Sequence, residues 1–152
     1  GLCFAKNLPA SIEFTPLADD RYVAACRHDH PLARKTHLSW QAYFEQDYIG
    51  LDRVSGNRTL LDRELAHLTP ARPSICETRH VTTMLGMVEA GIGIAAVPAM
   101  SMPAGEHSVL RAVPLTDPVV TRTVGLIRLS GRIQSYVAAE LEKLIIEQYP
   151  SG

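Results

Sequence analysis

Hydrophobic positions along the chain alternate between two spacings, and each change of spacing marks a strand giving way to a helix or the reverse. Gly1 to Ala5 is a short apolar run that reads as a strand. Ile12 to Leu17 alternates, and Asp20 to Arg27, carrying Tyr22-Val23-Ala24-Ala25-Cys26, reads as a buried strand that His30-Pro31 breaks. Ser39 is placed to cap a short helix through Phe44, and Tyr48 to Leu51 forms the next strand. Leu61, Leu65 and Leu68 at i, i+4 and i+7 predict a helix from Asn57 to Leu68, ended by Thr69-Pro70 and Pro73. Ser74 to Glu77 follows as a short strand. Thr78 is then the expected N-cap of a helix over Arg79 to Ala90, striped by Val81, Leu85 and Val88 with Met84 beside them. Gly91 supplies the left-handed position that ends such helices. Ile92 to Val97 is the most apolar strand, stopped by Pro98, and Val109 to Val113 and Arg122 to Leu129 are two more. The last helix, Ile133 to Tyr149, is amphipathic and is expected to bury Ile133, Val137, Leu141, Leu144 and Ile145.

Strands and helices in alternation point to an α/β domain. The final helix needs a surface to dock on, and the opening strand needs neighbours, because a lone strand edge invites aggregation. The chain therefore reads as though elements before Gly1 had been removed.

Composition narrows the class. With 152 residues, 46% of them apolar and 20% charged, the chain is the size and make-up of one ordinary globular domain, which argues against disorder. The longest apolar stretch, Ala90 to Met100, is too short for a bilayer, which takes roughly 20 apolar residues. No basic-then-apolar leader opens it. The formal charge is −1, and Arg53, Arg58 and Arg63 are interleaved with Asp52, Asp62 and Glu64. Without a basic stripe, this segment is not expected to bind DNA by itself. Cys3, Cys26 and Cys76 form neither a zinc pattern nor a disulfide framework, which fits a reducing, cytoplasmic setting.

Several short constellations invite chemistry. His28-x-His30 places two imidazoles on one side of a strand but lacks a spaced third ligand, so it reads as a polar strand exit and no metal is expected. Gly91-Ile92-Gly93-Ile94-Ala95-Ala96 matches a dinucleotide fingerprint in letters only. That fingerprint requires strand, glycines, helix, whereas here the helix comes first, so the glycines are a helix cap and a tight turn. Cys76 lies near Glu77 and His80 without a nucleophile elbow, and a buried structural thiol is the expected role. No paired carboxylates, phosphate loop or HExxH motif occurs, so neither a cofactor nor catalysis is expected. Thr78-Arg79-His80 stands where a strand gives way to a helix, with a hydroxyl, a guanidinium able to grip a carboxylate, and free helix amides. The alternative is a capping Thr78 beside a solvated Arg79. Val54-Ser55-Gly56-Asn57 is a second loop of the same kind, and two such loops at the carboxyl ends of parallel strands border one crevice.

With these segments placed, the chain resembles the effector-binding domain of LysR-type transcriptional regulators. Pro16-Leu17 to Tyr22-Val23-Ala24 with His30-Pro31-Leu32-Ala33 is similar to that family's crossover strand and "HPLA" turn, and Leu38-Ser39-Trp40 to Tyr48-Ile49 to the segment after it. Met87-Val88-Glu89-Ala90-Gly91-Ile92-Gly93-Ile94-Ala95-Ala96-Val97-Pro98 is the most specific stretch. Pro114-Leu115, Thr123 to Arg128 and the final helix resemble the return to the first subdomain.

The resemblance implies a periplasmic-binding-protein-like fold of type 2, with two α/β subdomains joined by two crossover strands and the first subdomain incomplete. On that mapping, residues 1–26 are the remnant of subdomain I and the first crossover, 27–117 are subdomain II, and 118–152 are the second crossover and return. It also implies a small-molecule effector held between the subdomains, at Val54 and Ser55, at Thr78, Arg79 and His80, and at Pro98. Arg79 and His80 favour an anionic or polar effector. The whole protein would be a cytoplasmic homo-oligomer that meets DNA through a helix-turn-helix upstream of Gly1, with no membrane partner. The other reading of the same fold is the solute-binding protein of a transporter.

Overall fold

The computed structural model describes residues 1–5, 8–105 and 109–149. Its elements run β1 (Leu2–Phe4), β2 (Ile12–Arg27), a 3-10 turn (Pro31–Arg34), β3 (Leu38–Ser39), α1 (Trp40–Phe44), β4 (Tyr48–Leu51) and α2 (Gly56–Glu64). They continue with β5 (Cys76–Thr78), α3 (Val81–Glu89), β6 (Ile94–Pro98), a second 3-10 turn (Ala99–Ser101), β7 (Leu110–Thr116), β8 (Thr121–Leu129) and α4 (Tyr136–Gln148). The chain forms two compact units, Arg21–Val120 and the combination of Gly1–Asp20 with Thr121–Gly152.

In the unit Arg21–Val120, the second half of β2 is the central strand, antiparallel to β6 on one side and to β7 on the other. β4 lies parallel to both β6 and β5, which makes β6, β4 and β5 a parallel set. Successive side chains of a strand point to opposite faces. Tyr22, Ala24 and Cys26 of β2 and Ile94 and Ala96 of β6 therefore enter one core layer with Trp40 and Tyr43 of α1. Val23, Ala25, Ala95 and Val97 enter the other, with Met84, Leu85 and Val88 of α3. Burial of those three α3 side chains contributes on the order of 5–8 kcal/mol, enough to hold a helix of this length that would not persist alone. α3 ends as expected, with Gly91 at φ 78° and Ile92 N–H donating back to the Met87 carbonyl over 3.1 Å. Two residues on, a side chain at Gly93 would stand 2.5 Å from the Asp47 carbonyl oxygen, so the turn into β6 admits only glycine.

Several boundaries differ from the sequence expectation. The stretches Ile12–Leu17 and Asp20–Arg27 are one unbroken strand, β2. Thr78 does not cap α3. It is the last residue of β5, paired with Leu51, and its carbonyl accepts Asp52 N–H over 2.9 Å, leaving His80 as the N-cap. α2 stops at Glu64 instead of Leu68, because the chain tightens into a turn in which Leu68 N–H donates to the Leu65 carbonyl. Leu65 still reaches the core, with Leu61 of α2 and Leu68 of the turn packed against it. Cys76 is half-buried, where a buried thiol was expected.

In the other unit, β1 pairs antiparallel with β8, which also neighbours β2. Arg122 reaches the fully buried carboxylate of Asp20 at 2.9 Å and stacks over the Phe4 ring. α4 is capped by Ser135, whose hydroxyl accepts Ala138 N–H. The apolar stripe expected to be buried is exposed: Val137, Leu141 and Leu144 of α4 face solvent, Ile145 is half-buried, and Ile133 is exposed ahead of the helix, which begins at Tyr136. The heptad-like spacing that made the stripe visible specifies a face of the helix, and no described element covers that face.

Candidate functional site

Because β6, β4 and β5 are parallel, their carboxyl ends share one edge of the unit Arg21–Val120. All six residues singled out in the sequence follow or end these strands. Val54 and Ser55 follow β4, Thr78 ends β5 with Arg79 and His80 after it, and Pro98 ends β6. The first two loops are tied together directly by the bond from Asp52 N–H to the Thr78 carbonyl. Val54, Arg79 and His80 are exposed, Ser55 and Thr78 half-buried. Pro98 is different, being buried and paired with Tyr22 on the central strand.

Two helices begin at this edge. Ser55 is the N-cap of α2 and His80 of α3, yet neither side chain bonds its own helix. First-turn amides left without a side-chain cap, together with the positive end of the helix dipole, form a site suited to an anion. Arg79 adds a guanidinium that forms no ion pair or side-chain hydrogen bond among the described residues. Arg58, one turn into α2, is by contrast committed. Its Nε donates to Asp62 at 2.7 Å and its Nη1 to the Leu51 carbonyl at 3.0 Å. The bond to Asp62 holds its pKa above the ordinary arginine value.

The sequence reading missed the residue that organises the first loop. Asp52 accepts Val54 N–H on its side chain and Ser55 N–H on its carbonyl, an Asx-type turn that fixes the entry to α2. The signal in the sequence is an aspartate immediately after a strand, a residue that favours such turns. Tyr22 was read as core alone, yet its hydroxyl donates to Asn57 Oδ1 at 2.8 Å and secures the first turn of α2.

The other sequence constellations serve the fold. His30 Nδ1 accepts Leu32 N–H, and His28 Nδ1 lies 3.2 Å from the Val109 carbonyl. Among the described residues no group of three or more His, Cys, Asp or Glu could hold a metal ion. No helix among them is long and apolar enough to cross a membrane.

Strand-exit loops converging on one edge, with uncapped helix starts and an unpaired cation, are the geometry of an α/β ligand-binding domain. Residues 1–150 match the family model for the LysR substrate binding domain, and the chain belongs to that family. It is 42% identical over 137 residues to the uncharacterized HTH-type transcriptional regulator YbhD of Escherichia coli K12, covering 90% of this chain and 43% of that protein. The chain spans less than half the length of that curated relative. Among solved structures, the effector binding domain of QuiR in complex with shikimate aligns with a TM-score of 0.79 at 23% identity, over 97% of this chain and 70% of that one. The Synechocystis PCC6803 CcmR regulatory domain in complex with 2-PG aligns with a TM-score of 0.80 at 18% identity, over 99% and 74%. At these identities the two structures establish the fold, which is the periplasmic-binding-protein-like type 2 fold of LysR effector-binding domains.

Proposed function

We propose that this chain is the sensing part of a LysR-type transcriptional regulator and that its effector is a small anionic or polar molecule. In the whole protein, effector binding modulates transcription through a DNA-binding segment outside this chain, in a cytoplasmic homo-oligomer, without catalysis. The single observation that carries the reading is the shared edge at which Ser55 and His80 start two helices beside the unpaired Arg79. Val54, Ser55, Thr78, Arg79 and His80 supply the contacts, and buried Pro98 supports the edge from β6. Family membership supports the regulator over the solute-binding protein of a transporter.

A thermal-shift screen of small carboxylates and phosphates against the intact regulator, beginning with shikimate and 2-PG, tests it. A saturable shift that Arg79→Ala weakens at least tenfold supports the site. An equal affinity in the Arg79→Ala protein, or no shift with any acid, refutes it.

A further inference from the structure

Two elements that carry the candidate edge are thinly anchored. β5 is three residues long and ends the path of the sheet, paired with β4. α2 buries none of its side chains fully. Packing therefore holds the roots of the two loops, Val54–Ser55 and Arg79–His80, less firmly than it holds β4 and β6, which are buried at every position.

One guanidinium joins these roots. Arg58, the third residue of α2, reaches back over the carboxyl ends of both strands. Its Nη1 donates to the carbonyl of Leu51, the last residue of β4, over 3.0 Å and to Glu77 of β5 over 3.4 Å. Its Nε is held by Asp62, one turn further along α2, at 2.7 Å. Leu51 stands directly before Asp52, which turns the first loop, and Glu77 directly before Thr78, whose carbonyl accepts Asp52 N–H. The side chains of Arg58, Asp62 and Glu77 are 31%, 59% and 45% exposed, so the ion pairs themselves add little stability. What the planar fork fixes is direction, because Nε and Nη1 point to different elements at once, which a lysine ammonium does not reproduce.

We infer that Arg58 is the positioning residue of the effector edge. It does not touch the effector. Through Leu51 and Glu77 it sets the first turn of α2 against the end of β5, so that Ser55 and Arg79 meet one ligand together. This role rests on the reading of the edge given above, whereas the coupling of the two loops through Arg58 is measurable without any ligand.

Amide hydrogen exchange in the intact regulator, in Arg58→Met and in Arg58→Lys, gives that measurement. In Arg58→Met the Asp52, Val54 and Ser55 amides of the first loop and the Met84 amide bonded to His80 are expected to exchange at least fivefold faster. The Val23 and Ala25 amides of β2 stay within twofold, and Arg58→Lys falls between the parent and Arg58→Met. Calorimetry with inorganic phosphate as the probe supplies the second readout. Its affinity should drop at least fivefold in Arg58→Met and recover in part in Arg58→Lys. Arg79→Ala should then cost less in the Arg58→Met background than in the parent, since the two residues act as one unit. Unchanged exchange in the loops overturns the assignment, and so does an equal acceleration in β2, which would mark Arg58 as a merely structural residue. Phosphate binding that needs Arg79 but not Arg58 removes this inference alone. Binding absent from the parent, or untouched by Arg79→Ala, removes the reading of the edge and the positioning role with it.

Discussion

The Tyr22 hydroxyl donates to Asn57 Oδ1 over 2.8 Å, so the central strand of the larger unit is fastened to the first turn of α2 by a side-chain bond 35 residues long in sequence. Tyr22 is itself 1% exposed and paired with Pro98, which means one residue touches the ends of both β6 and α2 at the candidate edge. Replacing Tyr22 with Phe keeps the ring and removes only the donor. The expected cost is about 1 kcal/mol, the net worth of a hydrogen bond of this kind. Urea unfolding of the two proteins measures it, and an unchanged midpoint would show that the bond contributes nothing to the folded state.

Much of this architecture is legible in the sequence. The continuous apolar run Tyr22-Val23-Ala24-Ala25-Cys26 points to a buried strand, and it is the central strand, buried on both faces. Gly91 announced the end of α3 because a left-handed backbone there is open chiefly to glycine. The role of Thr78 was not legible. A hydroxyl before a helix looks alike whether it caps or ends the preceding strand, and only its pairing with Leu51 decides. The α4 stripe shows the converse limit, since Leu141 and Leu144 have the periodicity of a buried face while remaining exposed. At the candidate edge the loops themselves could be read from strand-to-helix transitions. The links from Asp52 to Thr78 and from Tyr22 to Asn57 could not, because they join segments distant in sequence.

The Asp20 carboxylate is buried completely and is held by Arg122 through two bonds, at 2.9 and 3.2 Å. Removing the cation leaves a carboxylate where water does not reach, a far larger loss than breaking a surface pair. Arg122→Met is expected to destabilise the protein by about 3 kcal/mol. Asp20→Asn added to it should recover a good part of that loss, since the neutral amide no longer demands a counter-charge. Chemical denaturation of the two variants settles the point, and equal stabilities of the single and double variant would contradict it.

The three cysteines divide by burial. Cys26 is wholly buried in β2, and loss of hydration raises its thiol to a pKa of about 11. Cys3 and Cys76 are half-buried. Since the thiolate is the reacting species, only about a thousandth of Cys26 is reactive at about pH 8 even before access is considered. Iodoacetamide on the folded protein should therefore label Cys3 and Cys76 first, with Cys26 modified only on denaturation, as peptide mass spectrometry would record. Early labelling of Cys26 would mean that β2 opens to solvent under native conditions.

Acid should weaken the fold through a small set of surface carboxylates. The hydrogen bond from Arg27 lowers the pKa of Asp29, and the one from Arg128 lowers that of Glu13. A carboxylate whose folded pKa lies below its unfolded value adds stability that is fully present above the unfolded pKa, near 4, and disappears as pH falls through the folded one. The melting temperature should therefore hold down to about pH 5 and decline below about pH 4. Both pairs are exposed, so the decline they cause is shallow and is damped by salt, whose screening length is about 3 Å at 1 M. Replacing Glu13 with Gln and Asp29 with Asn should flatten this part of the profile at low salt and change little at high salt. A profile of unchanged slope in the double variant would contradict the assignment of the acid sensitivity to these two pairs.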